Sequence, residues 1–257
     1  MLKREYPIIE FDSNSPNFIP AKKNIVNFSH LPSKCVLSFF GDSIADFVAE
    51  FNCNRIGELK LESIILPIYE YITDDNEIIA IMHCLGSGPY AAGQIEKLTA
   101  MGCTTFVVCG GCGVLVPEKQ CGEIFIPVSA VRDEGTSYHY IPPAREIHID
   151  PAVRDNICNY LEENSIPYQC VKTWTTDAMY RETVDMIELR RNEGCSIVEM
   201  ECASYYAVAR YKQVKLGMVL YAGDDLSGRQ WNSRNWKNAS DTRTLLLKLS
   251  IEICKKI

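Results

Sequence analysis

The sequence predicts the α/β class: one domain of three layers, with helices on both faces of a central mixed β-sheet. Three observations carry this. Apolar runs of strand length alternate with stretches of helical spacing from residue 34 to residue 257, as in a sheet covered on both sides. The 257 residues, 47% hydrophobic and 23% charged, suffice for one large domain with a real core. No repeat, low-complexity tract or linker interrupts residues 34–257.

Residues 1–33 carry Pro7, Pro16, Pro20 and Pro32 and read as an irregular N-terminal arm, suited to packing on a neighbouring subunit or to staying mobile. Cys35 to Phe40 is a buried strand, Gly41-Asp42-Ser43 a turn, and Ile44 to Phe51 a helix. Glu58 to Tyr71 and Ile78 to Cys84 read as two strands joined at Asp74-Asp75-Asn76. Gly86-Ser87-Gly88-Pro89 opens a helix, Tyr90 to Met101, with proline near its first position. Thr104 to Cys109 is a strand ending in a glycine-rich turn, Gly110-Gly111-Cys112-Gly113. Ile124 to Val131 and Tyr168 to Trp174 are strands; Pro151 to Asn164 and Val184 to Asn192 are helices. Ser196 to Val198 and Leu216 to Ala222 are apolar strands around a helix, Cys202 to Tyr211. A helix from about Ala239 to Lys256 closes the chain.

A net charge of −7 argues against a general nucleic-acid binder, which needs a basic patch. No apolar run approaches the roughly 18 residues of a membrane helix. Met1 to Pro7 holds no apolar export core, so a cytoplasmic location is expected. Six of the twelve cysteines, including Cys35, Cys84 and Cys195, lie in or beside apolar runs, which suits reduced, buried thiols. Cys109-Gly110-Gly111-Cys112 is formally a C-x-x-C, but no helix follows it. His30, His83, His139 and His148 show no metal spacing. Neither metal nor cofactor is called for.

The chemistry gathers in Ile197-Val198-Glu199-Met200-Glu201-Cys202-Ala203 and Ala222-Gly223-Asp224-Asp225-Leu226. A strand–helix–strand unit brings both acidic groups to one edge of a parallel sheet, where ligands of open α/β sheets bind. Carboxylates there suit paired hydroxyls and a leaving group that needs a proton. The plain alternatives are a dipole-stabilised helix start for Glu199 and a solvated turn at Asp224-Asp225.

Four segments in order resemble the nucleoside phosphorylase/nucleosidase superfamily. They are Phe39-Phe40-Gly41-Asp42; Gly86-Ser87-Gly88-Pro89 running into Phe106 to Gly113; Thr175-Thr176-Asp177-Ala178-Met179-Tyr180-Arg181-Glu182-Thr183; and Val198-Glu199-Met200-Glu201 with Gly223-Asp224-Asp225. The resemblance implies a nucleoside phosphorylase-like sheet and cleavage of the N-glycosidic bond of a nucleoside. It casts Glu201 as a clamp on the ribose 2′- and 3′-hydroxyls, since a carboxylate can accept both. Met200 packs on the sugar, and Glu199 touches or supports it. Asp225 protonates N7 of a purine, which requires a raised pKa. Met179, Tyr180 and Arg181 face the base. Gly41, Gly86, Gly110 and Gly111 offer backbone amides to phosphate or water.

Phosphorolysis to base and ribose 1-phosphate is the first expectation. Yet the family's anion-binding arginines are replaced by Ala45 and Val108, and none stands between Leu59 and Leu66. Arg132 and Arg145 are possible substitutes. Hydrolysis, with Asp46 activating water, is the alternative; Asp46 on an exposed helix face is the plainer reading. A non-catalytic nucleoside-binding relative is a third reading. Asp225 favours purine. The expected partners are a small nucleoside, phosphate, and further copies of the chain in a dimer or hexamer, with the arm and Trp231 to Trp236 available for contacts.

Overall fold

A computed structural model describes residues 3–21, 31–117, 119–236 and 239–257. β1 (Lys34–Ser38) lies between β4 (Ile78–His83) and β5 (Thr105–Val114), parallel to both. β3 (Ile65–Ile72) and β2 (Asn54–Lys60) extend that side in antiparallel pairing. Beyond β5 the sheet closes on itself. β5 pairs with β9 (Cys195–Glu199) and with β10 (Lys215–Asp225); β9 pairs with β8 (Gln169–Thr176), β8 with β6 (Ile124–Asp133), and β6 with β10. A short β7 (Glu146–His148) adds to β6.

α1 (Gly41–Glu50), α3 (Pro151–Glu163) and α6 (Ser240–Lys256) pack together on one face, and α2 (Gly88–Ala100) packs on α5 (Cys202–Lys212) on the other. α4 (Val184–Asn192) leans on β9. This is the predicted mixed sheet with helices on both sides. α3 starts where it does because Asp150 accepts hydrogen bonds from the Ala152 and Val153 amides while Pro151 takes the first turn. α5 is apolar around most of its circumference, and Cys202 through Ala209 are all buried, as befits a helix sandwiched in the fold.

Three expectations are corrected. Glu58 to Tyr71 is not one strand: the chain reverses at Leu61–Ile64, where the Leu61 amide donates to the Ile64 carbonyl, giving β2 and β3. Gly110 to Gly113 is not a turn but the continuation of β5, laddered to β10 and β9. Rings crowd the glycines here. A methyl built at Gly110 would lie 2.9 Å from Phe39 Cδ2, and one at Gly111 3.1 Å from the Tyr221 ring. Third, β9 and β10 are not neighbours in a parallel sheet. They flank the end of β5, β9 antiparallel and β10 parallel to it, and still bring their C-terminal ends together.

The arm, where described, holds one turn, Pro7–Ile9, whose Ile8 side chain reaches Gly135. Residues 22–30, also assigned to the arm, lie outside the described residues. The core reaches back to Leu31, which is fully buried. No described helix is long and apolar enough to cross a membrane.

Candidate active site

The site grows from the end of β9. Glu199 is buried and its carboxylate is fully engaged. One oxygen accepts from the Glu201 and Cys202 amides at 2.7 and 2.6 Å; the other accepts from the Thr175 and Thr173 hydroxyls at 2.6 and 3.2 Å. These bonds fix the turn from β9 into α5 and leave Glu199 no acceptor to spare for a ligand. Burial nevertheless pushes its carboxyl up, against those four donors.

Glu201 is placed by that turn. It is buried, and Oε1 accepts one bond, 2.6 Å from the Ser87 amide at the mouth of α2. Gly86 lies beside it: a methyl there would meet Glu201 Oε1 at 3.7 Å. Ser87 has φ 105° and ψ 146°, a conformation that side chains resist. The chain accepts that strain where an amide is aimed at Glu201. Burial, reinforced by the Glu199 charge, raises the Glu201 carboxyl to about 8. Most of its acceptor capacity is unused, which fits a clamp awaiting hydroxyl donors.

The two aspartates of β10 part company. Asp225 is tied down: Oδ1 accepts from the Ser227 amide at 2.7 Å, Oδ2 pairs with Arg234 at 2.5 Å, and its backbone bridges to Asn232. Burial pushes its carboxyl up, but the Ser227 and Arg234 donors outweigh it and hold it below the ordinary carboxylate value. That is the wrong direction for a proton donor at neutral pH. Asp224 instead accepts from Trp231 Nε1 at 2.6 Å and stands over Gly113. Glu182 feels its charge. Burial and then Asp224 lift the Glu182 carboxyl to about 7, and it has no hydrogen-bond partner among the described residues. The carboxyls that influence each other here are therefore Asp224 and Glu182, while Asp225 is spent on Arg234 and Ser227. The adjacency of Asp224 and Asp225 concealed this, because a shift in the β10 ladder between Ala222 and Asp225 decides which one faces Gly113.

Met179, Tyr180 and Arg181 form an exposed turn just before Glu182, with Tyr180 94% exposed. Met200 is half-buried between Glu199 and Glu201. Gly41, Gly86 and Gly111 are open to solvent, whereas Gly110 is buried. Asp46 lies on the solvent side of α1, away from its buried residues Ser43, Ile44 and Phe47.

His83, which has no metal-ligand spacing in the sequence, sits beside Gly41. Its Nδ1 is 2.8 Å from the Ser38 carbonyl, which can only accept, so Nδ1 carries the hydrogen. In the neutral ring the lone pair is then on Nε2, which a methyl at Gly41 would meet at 4.0 Å. Arg243 arrives from α6 against the ring of Phe40, donates to Tyr221 Oη at 3.3 Å and to the Trp236 carbonyl at 2.9 Å, and has no carboxylate partner among the described residues. The arginines considered as substitutes are engaged elsewhere. Arg132 is buried on Ser137 and the Pro142 carbonyl, and Arg145 pairs with Glu193. Ala45 is exposed and Val108 fully buried, so neither position presents a cation. Cys109 and Cys112 stand three apart on a strand and face opposite sides of the sheet. No group of His, Cys, Asp or Glu among the described residues is placed to hold a metal ion.

Residues 35–255 match the phosphorylase superfamily. Two curated relatives are a guanosine phosphorylase of Halorubrum lacusprofundi, 29% identical over 148 residues covering 55% of this chain and 59% of the relative, and a uridine phosphorylase of Thermococcus kodakarensis, 29% identical over 148 residues covering 51% and 52%. The matched part thus spans about half the length of those relatives. Among solved structures, uridine phosphorylase from Vibrio fischeri ES114 superposes with a TM-score of 0.75 at 20% identity, covering 88% of this chain and 93% of that one.

Proposed function

Because this chain belongs to the phosphorylase superfamily, we propose that it cleaves the N-glycosidic bond of a nucleoside, a purine nucleoside first, and transfers the ribosyl group to phosphate. The observation that carries the reading is Glu201: a buried carboxylate with spare acceptor capacity, positioned by Glu199 and by a strained amide at Ser87. Ionised, it accepts both ribose hydroxyls and stabilises positive charge growing on the sugar. Charge is then needed at the leaving base. Glu182 supplies the proton, its carboxyl raised to about 7 by burial and then by the Asp224 charge. Its place beside the Met179-Tyr180 turn supports a purine, whose N7 takes that proton.

On the acceptor side, the exposed glycines Gly41, Gly86 and Gly111, His83 Nε2, and the Arg243 guanidinium, which has no carboxylate partner among the described residues, are what the site offers an anion. The names of the curated relatives favour phosphate. A second reading, hydrolysis, is favoured by the loss of cations at Ala45 and Val108. There, His83, with Nδ1 on the Ser38 carbonyl and Nε2 beside Gly41, would activate water in the role that the sequence offered to Asp46.

The test is to incubate the protein with inosine, guanosine, adenosine, uridine and methylthioadenosine, with and without phosphate. Base and ribose 1-phosphate appearing only with phosphate is the expected result. Phosphate-independent release of free ribose moves the assignment to hydrolysis. Turnover of none of them sinks the catalytic reading.

A further inference from the structure

Away from the site, two cysteines meet. Cys158, half-buried on α3, and Cys170, exposed at the start of β8, bring their Sγ atoms to 3.7 Å. They sit on either side of the connection at Asn164-Ser165, where Ser165 takes a positive φ of 54° and turns the chain back. Most of the other cysteines are sealed in the core. This pair alone joins an exposed thiol to a second thiol within contact distance, among the described residues.

We propose that Cys158 and Cys170 form a reversible oxidation site, closing to an intrachain disulfide by exchange with a small-molecule disulfide. The Cys170 thiolate attacks one sulfur of that disulfide, forms a mixed disulfide, and releases one thiolate. The Cys158 thiolate then attacks Cys170 Sγ, closes the protein disulfide, and releases the second thiolate. Two protein thiols lose two protons and two electrons, and one external disulfide is reduced. Closing the gap needs an approach from 3.7 Å to about 2.05 Å.

Burial, then contact with Cys158, raises the Cys170 thiol to about 11, with Arg154 opposing. The first exchange is therefore slow at neutral pH and is best driven at mildly alkaline pH. The bridge would tie α3 to the end of β8 remote from Thr175, which holds Glu199, so the site is untouched.

The experiment treats the intact protein with oxidised glutathione, followed by peptide mapping, thiol alkylation and thermal unfolding. Cys121, exposed and without a neighbouring thiol among the described residues, is the internal control and should retain the mixed disulfide. The expected result is a cross-link between the Cys158 and Cys170 peptides, opened by reductant, with Tm raised by several degrees and turnover unchanged. Cys158→Ser should instead trap the mixed disulfide on Cys170. A mixed disulfide persisting on Cys170 in the unsubstituted protein overturns the proposal. So does oxidation linking other cysteines, or Cys170 remaining free while Cys121 reacts.

Discussion

Replacing Glu201 by glutamine removes one proton-binding group from the heart of the site. In the folded chain this carboxyl titrates at about 8, against 4.5 when free. An acid whose folded pKa is raised binds its proton more tightly when folded. Its effect is therefore least harmful at low pH, and it subtracts stability as pH rises from about 4.5 to about 8. That span of about 3.5 pH units, at 1.36 kcal/mol each, sets a ceiling of about 5 kcal/mol. Relaxation and water entry lower the ceiling, so on the order of 2–4 kcal/mol is expected. Urea unfolding of both proteins at low and high pH within that window measures it. Glu182 and the remaining groups titrate in both, so the difference between the two pH slopes belongs to Glu201. The unsubstituted protein should lose stability faster with rising pH than Glu201→Gln. Parallel slopes would show that Glu201 is not desolvated as its surroundings imply, and the argument for a poised clamp would fall. In turnover, losing charge-assisted bonds to two hydroxyls should lower kcat/KM by roughly 10²–10⁴.

Glu199→Ala should destabilise the protein by about 2–5 kcal/mol, because the Glu201 and Cys202 amides are left buried without acceptors. Glu199→Gln, whose oxygen still serves those amides, should cost about 1 kcal/mol; equal losses in chemical denaturation would contradict this. Asp224→Asn should reduce kcat by at least roughly 10²-fold, while Asp225→Asn, in a carboxylate spent on Arg234 and Ser227, should act mainly on stability; the reverse order in steady-state kinetics would return the acid role to Asp225. Ser87→Gly should raise stability by about 1 kcal/mol by relieving φ 105°, with the amide that serves Glu201 kept; an unchanged or lower Tm would show that the strain is absent.

The layered fold was legible because alternation of apolar runs with helical spacing is a property of consecutive residues. The clustering of Glu199 and Glu201 at the end of β9 was legible for the same reason, since its motif is local. What escaped detection depends on distant contacts. Gly110 and Gly111 look like turn residues until Phe39 and Tyr221 are seen to press on them. The choice between Asp224 and Asp225 turns on a ladder irregularity, and on Trp231 and Arg234, which reach back from seven and nine residues beyond. His83 showed no metal spacing, and only the Ser38 carbonyl reveals which nitrogen is free.

The closed circuit of β5, β6, β8, β9 and β10 has a consequence for adaptability. Glu199 ends one strand of the circuit and Asp224 lies in another, and each strand is laddered on both sides. The gap between the Glu199–Glu201 turn, the proposed sugar grip, and Asp224 is thus set by backbone bonds on one frame. Met179, Tyr180 and Trp231 hang outside that frame, exposed on short connections. One side of the candidate site is thus built from laddered strands and the other from exposed connections. On the proposed reading, selection for a new base can reshape the exposed connections residue by residue, while the spacing of the laddered carboxylates is inherited unchanged.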